Sequence, residues 1–210
     1  FHLDPERLRL VARALADRLG TLDPDERDAF RTRLAQWERR WTGRIVEWKQ
    51  RAAPLAGKAI VAQHTGFAYL WRWLGVRQTA DLEPKPGLPP TVTHLQQVLQ
   101  QVRSDPPFAV VQSLYQDPQA ARWLVDRLPV PLLLLPSTVT DDGPARDLEG
   151  LFEHLIGTLL DTYVVDNGLT EIYDCAGYFG PTCGTPAPKW RHKARVTFNA
   201  ANGLGASLQW

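Results

Sequence analysis

The chain has 210 residues and a formal net charge of +1 at pH 7, and 44% of its residues are hydrophobic. This near-balance of charge excludes a bulk electrostatic attraction to nucleic acid or anionic membranes, whereas the hydrophobic share is enough for a packed core. The longest apolar run, Val130–Pro136, has the length of a strand, far below the ~20 residues that a membrane-spanning helix needs.

The first quarter of the chain is predicted to form two helices. Asp4-Pro5-Glu6 is typical of a helix start, with a capping aspartate, proline at the first helical position and an acid in the first turn. Gly20 is expected to end this helix. Asp23-Pro24 repeats the start signal, and the second helix is predicted to reach Ala53-Pro54. Its apolar residues recur in steps of three and four: Phe30, Leu34, Trp37, Trp41, Ile45 and Trp48.

Short apolar strands then alternate with amphipathic helices. Strands are predicted over residues 58–62, 77–82, 108–111 and 131–135. Helices are predicted over residues 67–74, 92–102, 117–128 and 147–163. This alternation predicts an α/β fold with a parallel sheet flanked by helices on both faces.

In such sheets ligands bind at the carboxyl ends of the strands. The candidate site residues are therefore those that follow each predicted strand: Gln63-His64-Thr65, Glu83, Gln112-Ser113 and residues 137–142. His64 is the best single candidate, because it comes directly after an apolar strand and an imidazole can ligate a transition metal or act as a base. An ordinary polar loop histidine is the alternative interpretation.

The other polar candidates have simpler interpretations. His94 and His154 are expected on solvated faces of helices. Asp141-Asp142-Gly143 could coordinate a cation, but a turn whose acids cap the next helix is favoured. The tryptophans of the long helix are expected in the core or at an interface between lobes.

The segment from residue 164 to 210 differs from the rest. Ala194, Val196 and Phe198 alternate with polar residues, as do the residues around Leu208, and Asn202-Gly203 between them is a hairpin-turn signal. An antiparallel hairpin is predicted here, which would not be stable alone. Cys175 and Cys183 bracket a Gly/Pro-rich loop in this segment. They are either a disulfide formed in an oxidising compartment or two unrelated thiols.

The sequence from Ala59 to Gly75, in which a strand leads into His64, resembles the metal-binding segment of periplasmic zinc/manganese-type solute-binding proteins of ABC importers. Phe1–Pro5 resembles the Leu-Asp-Pro segment of that family, and Leu82–Pro89 resembles its Glu-Pro-rich loop. The long helix is similar to the backbone helix that joins the family's two lobes. The sequence that begins at Leu135-Pro136 is similar to its C-terminal lobe.

This likeness covers about residues 1–163, roughly the carboxyl half of such a protein. It implies an N-terminal helix and a backbone helix over residues 1–56, followed by an α/β metal-binding lobe over residues 57–163. The implied function is the capture of zinc, with manganese less favoured, in the periplasm. The metal is then passed to an ABC importer permease without catalysis.

The resemblance also implies an incomplete metal site. His64 is the only ligand that carries over, because His2 matches a neighbouring aromatic position and Ser137 stands where many members have a ligating aspartate. The family's N-terminal lobe, with further histidines, is not found in this sequence. Weak or absent zinc binding is therefore expected of this chain, since Zn²⁺ normally takes three or four protein ligands.

The tail has a separate likeness. Tyr173–Arg195 resembles a late barrel segment of TonB-dependent outer-membrane receptors. We therefore expect a fragment in which residues 164–210 are a foreign, receptor-like β-hairpin segment. Two alternative functions stay open: an outer-membrane receptor fragment, and an enzyme that uses His64 as a base. The enzyme requires a titratable partner within hydrogen-bond reach of His64, whereas a binding lobe places His64 at the edge of an open cleft.

Overall fold

The computed structural model describes residues 1–85, 87–166, 195–199 and 205–209, with side chains for residues 1–85 and 87–163. The chain divides into two compact units, Phe1–Asp166 and Asn167–Trp210. Each unit is described by itself.

Two helices begin the first unit, as predicted. Helix α1 spans Pro5–Leu22, and Asp4 caps it, because the Asp4 carboxylate accepts hydrogen bonds from the backbone N–H groups of Glu6 and Arg7 at 3.0 and 3.2 Å. Gly20 does not end the helix. A Cβ at Gly20 would lie 2.9 Å from Cγ of Arg27, so the glycine allows the start of the second helix to approach closely.

Helix α2 spans Arg27–Ala52, and a single 3-10 turn, Ala53–Leu55, follows it. Only the carboxyl half of its predicted apolar stripe is core. Trp41, Ile45 and Trp48 are buried, whereas the amino half lines an open groove with α1. The periodicity predicted the face of the helix correctly but not how far along the helix the core extends.

A four-stranded parallel sheet forms the centre of the unit, which confirms the predicted fold class. Its strands are β1 (Ala59–Ala62), β2 (Arg77–Asp81), β3 (Val110–Ser113) and β4 (Leu132–Leu135), in the order β2-β1-β3-β4. Strand β3 lies two residues later than predicted. Gln112 and Ser113 pair with Leu134 and Leu135 in the sheet. Because both residues are polar, they were predicted to lie in the loop after the strand.

Helices cover both faces of the sheet. The helices that follow α2 are α3 (Ala68–Leu74), α4 (Val92–Val102), α5 (Gln119–Val125) and α6 (Leu148–Asp166). Ile60 and Ala62 of β1 belong to one core cluster, together with residues of α2, α3 and α6. Val61 belongs to a second cluster with residues of α4 and α5. Alternate residues of the central strands therefore face different helical layers.

Gly75 ends α3 in the left-handed region, with φ of 71°, directly after the predicted last residue of this helix, residue 74. Gly75→Ala is expected to lower the free energy of unfolding by about 1–2 kcal/mol, because an L side chain is strained there. The added Cβ itself would meet Ala56 only at 3.6 Å, an ordinary contact, so strain alone sets the cost. Urea denaturation measures the change.

The matched control for that variant is Gly43→Ala. Gly43 lies within α2 and nothing lies within 4 Å of the position of its added Cβ. Alanine is expected to stabilise the protein there by about 0.5–1 kcal/mol, since it is favoured over glycine in a helix interior. The same sign of change for both variants would contradict the assignment of backbone strain to Gly75.

An ionic cluster joins α2 to α6. Glu153 on α6 pairs with Arg51 and, at 3.7 Å, with Arg44, and it accepts a 2.9 Å hydrogen bond from Nε1 of Trp48. Burial acts to raise the pKa of Glu153, but the hydrogen bonds from Arg51 and Trp48 and the charges of both arginines outweigh it. The pKa of Glu153 is therefore held below its ordinary value.

This lowered pKa predicts a loss of stability in acid. The Glu153 contribution is complete above the ordinary glutamate pKa of about 4.3 and is lost as the pH falls through the lower folded value. Glu153→Gln is expected to flatten the fall in unfolding free energy below about pH 4. The difference is at most about 1 kcal/mol, because the exposed part of the carboxylate is screened by solvent. Parallel acid titration profiles for the variant and the parent would contradict it.

The described part of the second unit is a two-stranded antiparallel sheet of β5 (Arg195–Asn199) and β6 (Gly205–Gln209). This confirms the two antiparallel strands predicted from the alternation, whereas the predicted turn at Asn202-Gly203 lies outside the described residues. Cys175 and Cys183 lie outside the described residues, so their disulfide stays a prediction. In the part of the chain that the structure describes, no helix is long and apolar enough to cross a membrane.

Candidate functional site

The candidate site lies at the carboxyl edge of the sheet, at one of its two inner strands. Gln63 follows β1 and still pairs on both sides: its N–H donates to the Val111 carbonyl at 2.8 Å, and its carbonyl accepts from the N–H of Glu83 at 3.0 Å. His64 comes next, with an extended backbone, and a 3-10 turn over Thr65–Phe67 leads from it into α3. His64 therefore lies just after the carboxyl end of β1, as the sequence predicted.

The His64 imidazole is half-buried and has no partner within residues 1–85 and 87–163. No hydrogen bond, ion pair or ring contact with those residues holds it. Neither ring nitrogen is engaged, so the one that carries the lone pair in a given tautomer is free to ligate a metal. The titratable partner required by an enzyme with His64 as its base is not found in this part of the chain.

Ser137, after β4, brings together two residues that are distant in sequence. Its carbonyl lies 2.6 Å from Nε2 of His2, which must be the donor, because a carbonyl oxygen only accepts. Its hydroxyl lies 2.9 Å from the Tyr115 hydroxyl. Tyr115 is 76% exposed and was not predicted, although its position soon after β3 is the signal that could have found it.

The first residues of the chain lie along this same region. The Phe1 ring meets the Tyr69 ring edge-on at a centroid distance of 5.9 Å, and Tyr69 lies on α3, just after His64. The Arg7 guanidinium lies 5.4 and 5.3 Å from the centroids of these two rings. Phe1 is thus held by α3, while His2 is held by the loop after β4.

Residues at two other predicted site positions form hydrogen bonds with residues close to them in sequence. The Gln112 amide donates to the Gln116 carbonyl at 2.5 Å, and the Ser113 N–H donates to the Gln116 side chain at 2.9 Å. Near Asp142 the chain forms a turn, in which the Thr140 hydroxyl donates to the Asp142 carbonyl at 2.6 Å. Gln112 and Ser113 are thus tied to the loop that follows β3, and the bond to the Asp142 carbonyl favours the turn interpretation for residues 141–143.

Asp147, and not Asp141 or Asp142, caps α6. Its carboxylate accepts a 2.7 Å hydrogen bond from the Gly150 N–H, and its carbonyl accepts from the Leu151 N–H. The expectation that the earlier pair of acids caps this helix is therefore wrong. The cap lies directly before the first helical residue, where a side-chain oxygen reaches the free N–H groups of the first turn.

His94 does not lie on a solvated face, as was expected. It is half-buried, and its Nε2 lies 2.9 Å from the backbone carbonyl of Asp81, so it links α4 to the end of β2. Of the residues that the structure describes, no group of three or more His, Cys, Asp or Glu could hold a metal ion. Among the described residues at the candidate site, His2 is bonded to Ser137, so His64 is the one free imidazole there.

A model of the family described as "Zinc-uptake complex component A periplasmic" matches residues 1–162. A crystal structure of ZnuA aligns with a TM-score of 0.66 at 19% identity, covering 76% of this chain and 59% of that one. A zinc-bound AdcAII variant of Streptococcus pneumoniae aligns at 0.64 and 21%, covering 76% and 58%. FpvC of Pseudomonas aeruginosa in complex with Mn²⁺ aligns at 0.65 and 20%, covering 76% and 60%.

At these identities the solved structures show a shared fold. The chain spans about three fifths of their length, as the coverages of 59%, 58% and 60% show. No curated protein matches the chain significantly. The family match covers the residues before the tail, and the receptor likeness predicted for residues 164–210 is not supported.

Proposed function

The chain belongs to the periplasmic zinc-uptake component A family, and on that premise we propose that it is the carboxyl-terminal, metal-binding lobe of a zinc solute-binding protein. The lobe comprises residues 57–163, and residues 1–56 supply the helices that precede it. The whole protein captures zinc in the periplasm and delivers it to the permease of an ABC importer. This class of protein is not enzymatic.

The observation that carries this proposal is the unpartnered imidazole of His64 at the carboxyl edge of the sheet. A neutral imidazole nitrogen is a preferred zinc ligand, whereas manganese is more often held by oxygen. Zinc is therefore the favoured cargo. The similar structures include one with zinc and one with manganese bound, so the choice between the two metals needs a direct measurement.

The remaining ligands are proposed to come from a part of the protein that this sequence does not contain. One imidazole cannot hold Zn²⁺ by itself. The nearby Ser137 and Tyr115 offer hydroxyl groups that already bond to each other, and Nε2 of His2 is engaged by the Ser137 carbonyl. The short span of this chain against the similar structures supports an opposing lobe as the source of the other ligands.

A zinc titration of two proteins tests this proposal. This chain alone is expected to bind Zn²⁺ more weakly than about micromolar, and a longer protein that includes the preceding lobe is expected to bind below micromolar. Competition with a chromophoric chelator measures both affinities, and Mn²⁺ titrated in parallel tests the choice of metal. A submicromolar zinc site in this chain alone would show that the proposed division of ligands is wrong.

Neither alternative function is favoured. An outer-membrane receptor role depends on the tail, residues 164–210. The tail lies outside the family match, which covers residues 1–162. An enzymatic role rested on His64 as a base, for which the described residues offer no titratable partner.

A further inference from the structure

The open groove between α1 and α2 has a volume of roughly 230 Å³ and an apolar lining. Its wall consists of alanine, leucine, phenylalanine and tryptophan side chains, with Arg33 as the exception. Leu15 is 56% exposed, and Phe30 and Trp37 are only half-buried. Contiguous exposed apolar surface is typical of a protein–protein interaction site. We propose that a second copy of this chain docks on this groove, antiparallel to the first and related to it by a two-fold axis.

Charges of opposite sign at the two ends of the helix pair support this occupant. Near the turn between α1 and α2, the side chains without an ion pair to residues 1–85 or 87–163 are acidic in Asp17, Asp23, Asp25 and Glu26 and basic in Arg18 and Arg27. Further along α2, the side chains without such an ion pair are those of Arg33, Arg39 and Arg40. The turn is therefore net acidic in its unpaired charges, and the middle of α2 is net basic.

This asymmetry favours an antiparallel copy over a parallel one. Glu26 and Arg40 each lie seven residues from Arg33, which is about 10 Å along the helix. With a two-fold axis near Arg33, Glu26 of each copy lies beside Arg40 of the other, and symmetry forms both contacts. Arg33 stacks on the Phe30 ring of its own chain at 5.1 Å. A parallel pair instead places acid against acid at the turn.

The available area predicts a weak dimer. Two helices side by side, each about 10 Å in diameter and roughly 25 Å long, present about 500 Å² in each copy. The pair therefore buries about 1,000 Å² in total, near the lower limit for a specific interface. A dissociation constant of about 10–100 μM is expected. The unpaired acids at the turn disfavour an anionic lipid surface as the occupant, since helices that lie on such surfaces are rich in Lys and Arg on their polar face.

Sedimentation equilibrium of this chain without zinc, at about 1–500 μM, tests the proposal. Leu15→Glu is expected to weaken the dimer at least about tenfold, because it places a charge in the apolar groove. Leu10→Glu is the matched control, since Leu10 lies on the same helix and is 55% exposed but does not line the groove. This control should leave the dimer unchanged, and circular dichroism shows that both variants are folded.

An exchange of charges tests the antiparallel arrangement separately from the apolar contact. Glu26→Lys and Arg40→Glu are each expected to weaken the dimer about tenfold, because each reverses two symmetric contacts. The double variant Glu26→Lys/Arg40→Glu restores opposite charges and should dimerise like the parent chain. Both residues are exposed, so neither change disturbs the core.

Three results would each overturn the proposal: a monomeric chain up to about 500 μM, equal dimerisation of Leu15→Glu and the parent, or a double charge variant no better than the single ones. A monomeric chain would leave the groove to another occupant, such as the preceding lobe. Zinc should not change the dimer, because no lining residue of the groove is a zinc ligand type. The outcome is therefore independent of the zinc titration.

Discussion

Replacing His64 by alanine, in a protein that includes the preceding lobe, is expected to weaken zinc binding by about 100-fold or more. Structural zinc sites with four ligands bind with about 10–16 kcal/mol, or roughly 3 kcal/mol for each ligand. A loss of that size corresponds to about two orders of magnitude in affinity. No other bond of His64 has to be broken on metal binding, because the ring has no partner in the described part of the chain. Chelator competition at pH 7 measures the change.

Two other histidines serve as matched controls for that variant. His94 is bonded to the Asp81 carbonyl, and His2 to the Ser137 carbonyl. His94→Ala and His2→Ala are each expected to leave the zinc affinity within about threefold of the parent, although His94→Ala also loses a bond worth roughly 1 kcal/mol. An unchanged affinity in His64→Ala would remove His64 from the metal site. A large loss in His2→Ala would extend the site to the first residues of the chain.

Trp48→Ala is expected to lower the free energy of unfolding by about 3–5 kcal/mol. The Trp48 side chain is fully buried, and its ring lies 5.3 Å from both the Trp41 ring and the Phe152 ring. Its Nε1 donates to Glu153, so the same side chain joins α2 to α6 through both apolar and polar contacts. Truncation leaves a cavity at this junction and removes a hydrogen bond from Glu153, although the same carboxylate oxygen keeps its ion pair with Arg44. Urea denaturation followed by circular dichroism measures the loss.

Trp37 provides the comparison for Trp48, because it lies on the same apolar stripe of α2. Its ring stacks on that of Trp41 at 5.1 Å, but it lines the open groove between α1 and α2. Trp37→Ala is therefore expected to cost clearly less than Trp48→Ala, about 1–2 kcal/mol, since less apolar area returns to water. Equal losses for the two variants would contradict the conclusion that only the carboxyl half of the stripe is core.

The elements of the first unit were largely predictable because their signals are local. The caps at Asp4 and Gly75 act on the adjacent turns of their helices, and the predicted bounds of α4, residues 92–102, match the observed ones. The predictions were wrong where a residue contacts a different helix or strand. Gly20 was expected to end a helix, but it accommodates Arg27. Ser113 was expected in a loop, but it pairs with Leu135 in the sheet.

The candidate site was predictable in one part and not in another. The position of His64 followed from an apolar strand and the rule that ligands bind at the carboxyl ends of parallel strands. The meeting of His2, Tyr115 and Ser137 could not be predicted, because these residues lie far apart in the chain and only the folded sheet brings them together.

The sequence by itself determined the alternation of strands and helices, the parallel α/β class and the single histidine at a strand end. These depend on periodicity and on caps, which act within a few residues. The tertiary structure alone decided the strand order, the half of α2 that is buried, and which helices cover each face of β1. Those features depend on packing between elements that are distant in sequence, so no local pattern encodes them.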